Sequence, residues 1–214
     1  MKILIFGGTG LVGSQIINQL DDYFEAIVYS RREYKFPPSI TNKKISFDDN
    51  FDFESADHAF ICIGYPVALI DLLYFRKKNR KAFVDVDLDL TKKILLKLSE
   101  IEVKNISIIS AVGANKNSFN FYLKIKGIVE ELAKENTFES INIYRPSHLL
   151  GKREKDVGFF TFLFEKITNI SGLFLFGPIK RFRNIEAKLV AKAMIKNAKA
   201  NRKGFNIFEY KDLI

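Results

Sequence analysis

The chain has 214 residues, 47% of them hydrophobic and 28% charged, which is apolar material for one sizeable core but too little length for two full α/β domains. Lysine and arginine number 34 against 25 acids, and the net charge of +9 favours anionic partners without naming one, since the cations are scattered and form no arginine-rich block. A lone cysteine, Cys62, excludes an intrachain disulfide framework and suggests a reduced, cytoplasmic setting. Met1-Lys2 leads straight into Ile3-Leu4-Ile5-Phe6 without a signal-peptide pattern. The longest apolar stretch, Ala59 to Ile70, contains Gly64 and Pro66 and is too short for a bilayer, so a soluble protein without membrane insertion is expected.

In chain order, short β-branched runs alternate with segments of helical period, the pattern of a parallel sheet built from βαβ units. Strands are expected at Lys2–Phe6, Ala26–Tyr29, Lys44–Phe47, His58–Ile63, Ile106–Ser110, Ile141–Tyr144 and Phe205–Phe208. Helices are expected at Leu11–Leu20, Asp85–Ile101, Phe121–Glu135 and Ile185–Asn201, the last stopping at Lys203-Gly204. The fold class is therefore α/β, a mostly parallel sheet with helices on both faces. Residues 1–214 read as one domain, with the phenylalanine-rich stretch at 157–184 as a lid-like insertion.

The first strand runs into Gly7-Gly8-Thr9-Gly10-Leu11-Val12-Gly13 and then a helix. This is a phosphate-binding turn: Gly7 gives the tight turn, Gly10 lets backbone amides approach a pyrophosphate, and Gly13 allows close helix packing. At the end of the second strand an acid would bond a ribose, whereas this chain has Tyr29-Ser30-Arg31-Arg32. Two guanidinium groups suit a 2′-phosphate, so NADP(H) is preferred, and Glu33 keeps NAD(H) as the lesser option.

Tyr122 and Lys126 stand four apart at the start of a helix and share a face. Tyr74 and Lys78 repeat the spacing, but only Tyr122 follows a strand ending in a hydroxyl, Ser110. A neighbouring ammonium would favour the phenolate, making Tyr122 a proton donor to a carbonyl that Ser110 orients, with Lys126 also holding the nicotinamide ribose. The bland alternative is a surface Tyr-Lys pair beside a buried strand end.

Taken in order, the glycine turn, Arg31-Arg32, Ser110, Tyr122-x-x-x-Lys126-Gly127 and Arg145-Pro146-x-x-Leu149-Leu150 resemble the short-chain dehydrogenase/reductases. The likeness is strongest to an atypical branch, the Tat-interacting-protein-like oxidoreductases, and covers nearly the whole chain. The resemblance implies a Rossmann-like, doubly wound, mostly parallel sheet with a small C-terminal substrate-side extension, residues 1–214 forming one NAD(P)-binding domain in which Gly7, Thr9, Gly10, Leu11, Val12 and Gly13 hold the pyrophosphate and Arg31 and Arg32 the 2′-phosphate. It also implies that Ile63 and Gly64 line the adenosine-side ribose, Tyr122 and Lys126 the nicotinamide ribose, and Pro146, Ser147 and Leu149 the nicotinamide edge. Two departures stand out. Ser110-Ala111 replaces a pair of hydroxyl residues, and Ser46-Phe47 replaces an acid followed by phenylalanine.

Neither His58 nor His148 has metal-ligand spacing around it, so no metal is expected; Cys62 reads as core. Asp85, Asp87 and Asp89 read as acids at a helix N-terminus. Lys180-Arg181-Phe182-Arg183 is too short to suggest nucleic acid. The expected activity is NADPH-dependent reduction of a small organic carbonyl, or the reverse oxidation of an alcohol. The alternative is a cofactor-binding regulatory or protein-interaction module with little turnover; a homodimer or protein partner stays open, and a sugar-nucleotide epimerase is disfavoured by the short chain.

Overall fold

The computed structural model describes residues 1–46, 51–67, 71, 75–151 and 177–214. Seven strands form one sheet: β1 (Lys2–Phe6), β2 (Glu25–Ser30), β3 (Ile40–Lys44), β4 (His58–Ile61), β5 (Asn105–Ile109), β6 (Ser140–Tyr144) and, at the far edge, Gly204–Phe208. Their order is β3-β2-β1-β4-β5-β6 followed by Gly204–Phe208, with every pairing parallel. Two two-residue strands, β7 (Leu149–Leu150) and β8 (Ile185–Glu186), pair separately, so the edge strand is β9. Strands buried on both faces need near-continuous apolar runs, and Ile3, Leu4, Ile5 and Phe6 of β1 supply one.

One face of the sheet is covered by α1 (Leu11–Ile17) and another helix, Ala187–Ala200, around Ile3, Ile5, Phe60, Tyr144 and Met194. The opposite face packs Leu4, Ile27, Ala59, Ile106 and Ile143 under helices at Thr91–Glu100 and Phe121–Lys134. Among the described residues, the helices after α1 are, in chain order, α2 (Lys77–Val84), α3 (Thr91–Glu100), α4 (Phe121–Lys134), α5 (Ala187–Ala200) and the short α6 (Tyr210–Leu213). A π-helical stretch, Asp85–Leu90, joins α2 to α3.

Three expectations about elements are corrected. The third strand is Ile40–Lys44, not Lys44–Phe47: it pairs Ala26 with Ile40 and Ser30 with Lys44, and this polar edge segment, Ile-Thr-Asn-Lys-Lys, lacks the apolar run that marked the later residues. The helix expected from Asp85 begins at Lys77, in a lysine-rich turn without an apolar stripe. The helix ahead of β9 stops at Asn201, which takes the left-handed conformation at φ 46°, while Gly204 opens the strand. Most of the 157–184 insertion, residues 157–176, lies outside the described residues. The remainder forms a 3₁₀ turn, Gly177–Phe182, and the approach to β8.

Candidate active site

In an open parallel sheet the ligand crevice lies where strand order reverses, at the carboxyl ends of the strands. Here that point is between β1 and β4, and the glycine turn leaves β1 beside it. Gly7 has φ +86° and lies so close to the end of β4 that a Cβ would meet the Cys62 carbonyl carbon and oxygen at 2.6 Å. Gly13 presses on the Gly7 carbonyl and has no room for a side chain. The Gly10 amide donates to the Gly7 carbonyl at 2.9 Å, which closes the turn, and Gly10 caps α1 with extended backbone and no side-chain bond. The cradle thus has the shape that a pyrophosphate needs. Thr9 is exposed at the tip, whereas the Val12 side chain is buried in the core and could contribute to a ligand only through its amide. Leu11 turns to the same core and touches Gly151.

Arg31 and Arg32 follow β2, both exposed, and neither guanidinium forms an ion pair with another described residue. Ile63 and Gly64 follow β4 across from Gly7. The next residue, Tyr65, donates its amide to the Asp87 carboxylate at 2.6 Å, and Asp87 lies 2.7 Å from the Lys126 ammonium. A continuous path of contacts therefore joins the glycine turn to the lysine on α4.

Helix α4 starts where Asn120 accepts a hydrogen bond from the Leu123 amide at 3.1 Å. Its first turns carry Tyr122 and Lys126, with the ammonium 6.0 Å from the centre of the Tyr122 ring. The Tyr122 ring packs on Phe83 at 5.6 Å in an aromatic cluster that includes Phe75 and Phe121, and its hydroxyl has no hydrogen-bond partner among the described residues. Burial raises the Tyr122 pKa, and Lys126 only partly opposes it, so the expected stabilisation of phenolate by the ammonium does not dominate. Burial also acts to lower the Lys126 pKa, but the charges of Asp87, Tyr122 and Glu130 outweigh it and the ammonium is held above its ordinary range.

Ser110 is buried, and its hydroxyl donates to Glu130, eight residues and thus about 12 Å along α4 from Tyr122. Glu130 in turn takes a forked pair of bonds from Arg145, at 2.9 and 2.5 Å. The structure brings Tyr122 and Lys126 together but engages Ser110 elsewhere; Ala111, also buried, has no hydroxyl to offer. After β6, Pro146 is buried and its carbonyl accepts from the Val112 amide at 3.0 Å, which fastens the loops after β5 and β6 to each other. Ser147 donates to the Arg183 carbonyl, and Leu149 packs on the α1 and α5 side of the sheet.

Sequence reasoning missed Asp87, which is not at a helix N-terminus but in the middle of a helical run, buried against Lys126. It also missed Glu130 and Arg145. The usable signal for Asp87 was its i, i+2 alternation with Asp85 and Asp89, which puts it on the opposite side of the helix from two exposed acids.

No protein-family model matches the chain. Among curated proteins, the mitochondrial protein FMP52 of Candida glabrata is 41% identical over 173 residues, covering 78% of this chain and 72% of its own. The chain belongs to the FMP52 and HTATIP2 family of atypical short-chain dehydrogenase/reductases. FMP52 of Candida albicans is 28% identical over 96% of this chain and 90% of its own. Rat HTATIP2 is 25% identical over 72% of this chain, and the match spans 65% of the rat protein's length. Solved structures share the family's fold at lower identity. UDP-glucuronic acid 4-epimerase of Bacillus cereus in complex with NAD has a TM-score of 0.69 at 13% identity, covering 98% of this chain and 77% of its own. UDP-glucose 4-epimerase of Thermotoga maritima has a TM-score of 0.68 at 17% identity, covering 97% and 76%.

These relatives overturn the cytoplasmic expectation, because several FMP52 members are mitochondrial by name. A lone cysteine excludes a disulfide framework but does not distinguish one thiol-preserving compartment from another. The glycine cradle, which has no room for a Cβ at Gly7 or Gly13, fits a dinucleotide cofactor. Among the described residues no helix is long and apolar enough to cross a membrane.

Proposed function

We propose that the chain is an NADPH-preferring oxidoreductase acting on a small, fairly apolar organic carbonyl or the corresponding alcohol. The observation that carries this reading is the Tyr122 hydroxyl, without a hydrogen-bond partner among the described residues, one helical turn before Lys126, at the end of the contact path that starts at the glycine turn. The backbone of Gly7–Gly13 would hold the pyrophosphate, Arg31 and Arg32 the 2′-phosphate, Ile63 and Gly64 the adenosine-side ribose, Lys126 the nicotinamide ribose, and the Pro146–Leu149 loop the nicotinamide edge. NADPH, when bound, supplies hydride.

Tyr122, an ordinary phenol at neutral pH whose pKa burial raises further, gives its proton to the carbonyl oxygen; the Lys126 ammonium then stabilises the phenolate left behind. Carbonyl orientation falls to Tyr122. We assign Ser110 to fastening β5 against α4 through Glu130 rather than to the substrate, which revises the role expected from its position. The aromatic surroundings of Tyr122 favour an apolar substrate. A mitochondrial setting, taken from the names of the yeast relatives, completes the reading. NADPH oxidation across a panel of aldehydes and ketones tests it: turnover that vanishes in Tyr122→Phe while cofactor binding persists supports the reaction.

One observation favours a second reading, a cofactor-binding regulatory module. Ser110 is bonded to Glu130 and Ala111 carries only a methyl, so no hydroxyl from the end of β5 is free beside Tyr122. Tight NADPH binding without hydride transfer to any member of the panel selects this reading.

A further inference from the structure

Six residues of π-helix, Asp85–Leu90, interrupt the run from Lys77 to Glu100. Such stretches are rare and are frequently found at functional sites. Asp85 and Asp89 face solvent, whereas Asp87 is 3% exposed. A carboxylate so deeply placed is costly unless paired, and both of its oxygens are engaged. One lies 2.7 Å from the Lys126 ammonium and the other accepts the Tyr65 amide at 2.6 Å. Tyr65 directly follows Gly64, whose own position leaves ordinary contact distance to the Asp87 carboxylate.

We propose that Asp87 is a positioning residue: its carboxylate fixes the Lys126 ammonium beside Tyr122 and fastens the Gly64–Tyr65 loop to it, so that loop and lysine meet the cofactor's ribose as one unit. The proposal rests on the assignment of Tyr122 and Lys126 given above. The charged and titratable groups facing Lys126 are Asp87 from the π stretch and Tyr122 and Glu130 from its own helix. Asp87 is the one that touches the ammonium. With its charge removed, burial acts on the lysine with less opposition, and the Lys126 titration falls by about 1 to 3 pH units.

Asp87→Asn keeps the side-chain shape and an oxygen for the Tyr65 amide while removing the charge. In protein carrying isotope-labelled lysine, the Lys126 resonance, assigned with Lys126→Arg, is followed against pH without cofactor. The expected result is the downward shift in Asp87→Asn and a return toward the wild-type value in Asp87→Glu, together with weaker NADPH binding by thermal shift in Asp87→Asn. An unchanged lysine titration overturns the proposal, whatever happens to stability. Where Asp87→Asn does not fold, Asp87→Asn combined with Lys126→Met decides: recovery shows that the unpaired ammonium was the fault, and continued failure overturns the proposal. Wild-type protein that binds none of the nicotinamide dinucleotides refutes the functional reading, while the cofactor-free lysine titration still decides the role of Asp87.

Discussion

Gly127 brings the site helix against the loop after β5 with no room for a side chain, and Gly127→Ala tests whether that closeness positions Tyr122. A Cβ at 127 would lie 2.6 Å from the Asn115 Cα and closer still to the Asn115 carbonyl carbon and the Lys116 nitrogen. Ordinary contact begins at 3.4 Å, so α4 must retreat from the loop after β5 by about 0.8 Å or more. The obstacle is backbone and cannot rotate away. Overpacking of this kind costs about 1 to 3 kcal/mol, partly offset by the roughly 1 kcal/mol that alanine gains over glycine inside a helix. The net loss is of order 1 kcal/mol, which in a chain of this size lowers Tm by about 2 to 4 °C. Function should suffer more. Tyr122 and Lys126 ride on the displaced helix, and a misplacement near 1 Å can cost about a hundredfold in rate. Thermal unfolding and NADPH-dependent turnover, measured on the same preparation, give both numbers. Unaltered Tm and unaltered turnover in Gly127→Ala would refute the claim that this approach sets the helix.

Four further outcomes are expected. Arg31→Ala and Arg32→Ala each remove a charge-assisted partner worth about 1.5 to 3 kcal/mol, so NADPH affinity drops tenfold or more while NADH affinity hardly moves; equal losses for both cofactors contradict the assignment. Gly13→Ala, whose methyl would collide with the Gly7 carbonyl, should abolish the thermal shift given by either cofactor, and a retained shift argues against the cradle. Arg145→Met strands the Glu130 carboxylate and should cost about 3 to 5 kcal/mol in urea unfolding, whereas Arg145→Met with Glu130→Gln should recover much of it. His58 is fully buried against Ser107, and burial lowers its pKa from 6.5 to about 3. The unfolded chain therefore binds a proton at this residue first as pH falls, so its contribution is intact above about pH 6.5 and is lost toward pH 3 at about 1.4 kcal/mol per pH unit. His58→Gln should flatten that slope between pH 4 and 6, and an unchanged slope in urea titrations contradicts the buried neutral imidazole.

What could be read from the sequence was local. Strand, glycine turn and helix follow one another within 17 residues, and each has a signature of its own: Ile3 to Phe6 is apolar throughout, Gly7 and Gly13 mark the turn, and Ile16 and Ile17 continue the buried face of α1. The Tyr122 and Lys126 spacing is equally local, and it survives in the structure because both lie within the first two turns of one helix. What escaped was long-range or lacked an apolar stripe. Lys77–Val84 has one buried residue, Phe83, so its helical character could not be seen from periodicity, and its absence made Asp85–Asp89 look like a beginning. The partners of Asp87 and Ser110 are 39 and 20 residues away, and no pattern of residue types announces such pairs. β3 was displaced for a related reason: an edge strand with polar residues is defined by its neighbour's backbone, here β2, more than by its own side chains.

The polar groups missed in this way explain the logic of α4. Tyr122, Lys126 and Glu130 recur every fourth residue and so form one stripe, yet Lys126 and Glu130 are buried, the reverse of the arrangement by which a helix usually turns charge toward water. Two carboxylates divide that stripe between them. Asp87 takes the ammonium, while Glu130 binds the Ser110 hydroxyl and the Arg145 guanidinium, and Arg145 immediately precedes the Pro146 loop. Each pairing ties α4 to a different crevice-lining segment: the loop after β4 through Tyr65, and the ends of β5 and β6 through Ser110 and Arg145. Apolar side chains could hold the same elements together at less desolvation cost. They could not hold an ammonium beside the Tyr122 phenol, and under the proposed function that requirement accounts for the buried charge along this helix.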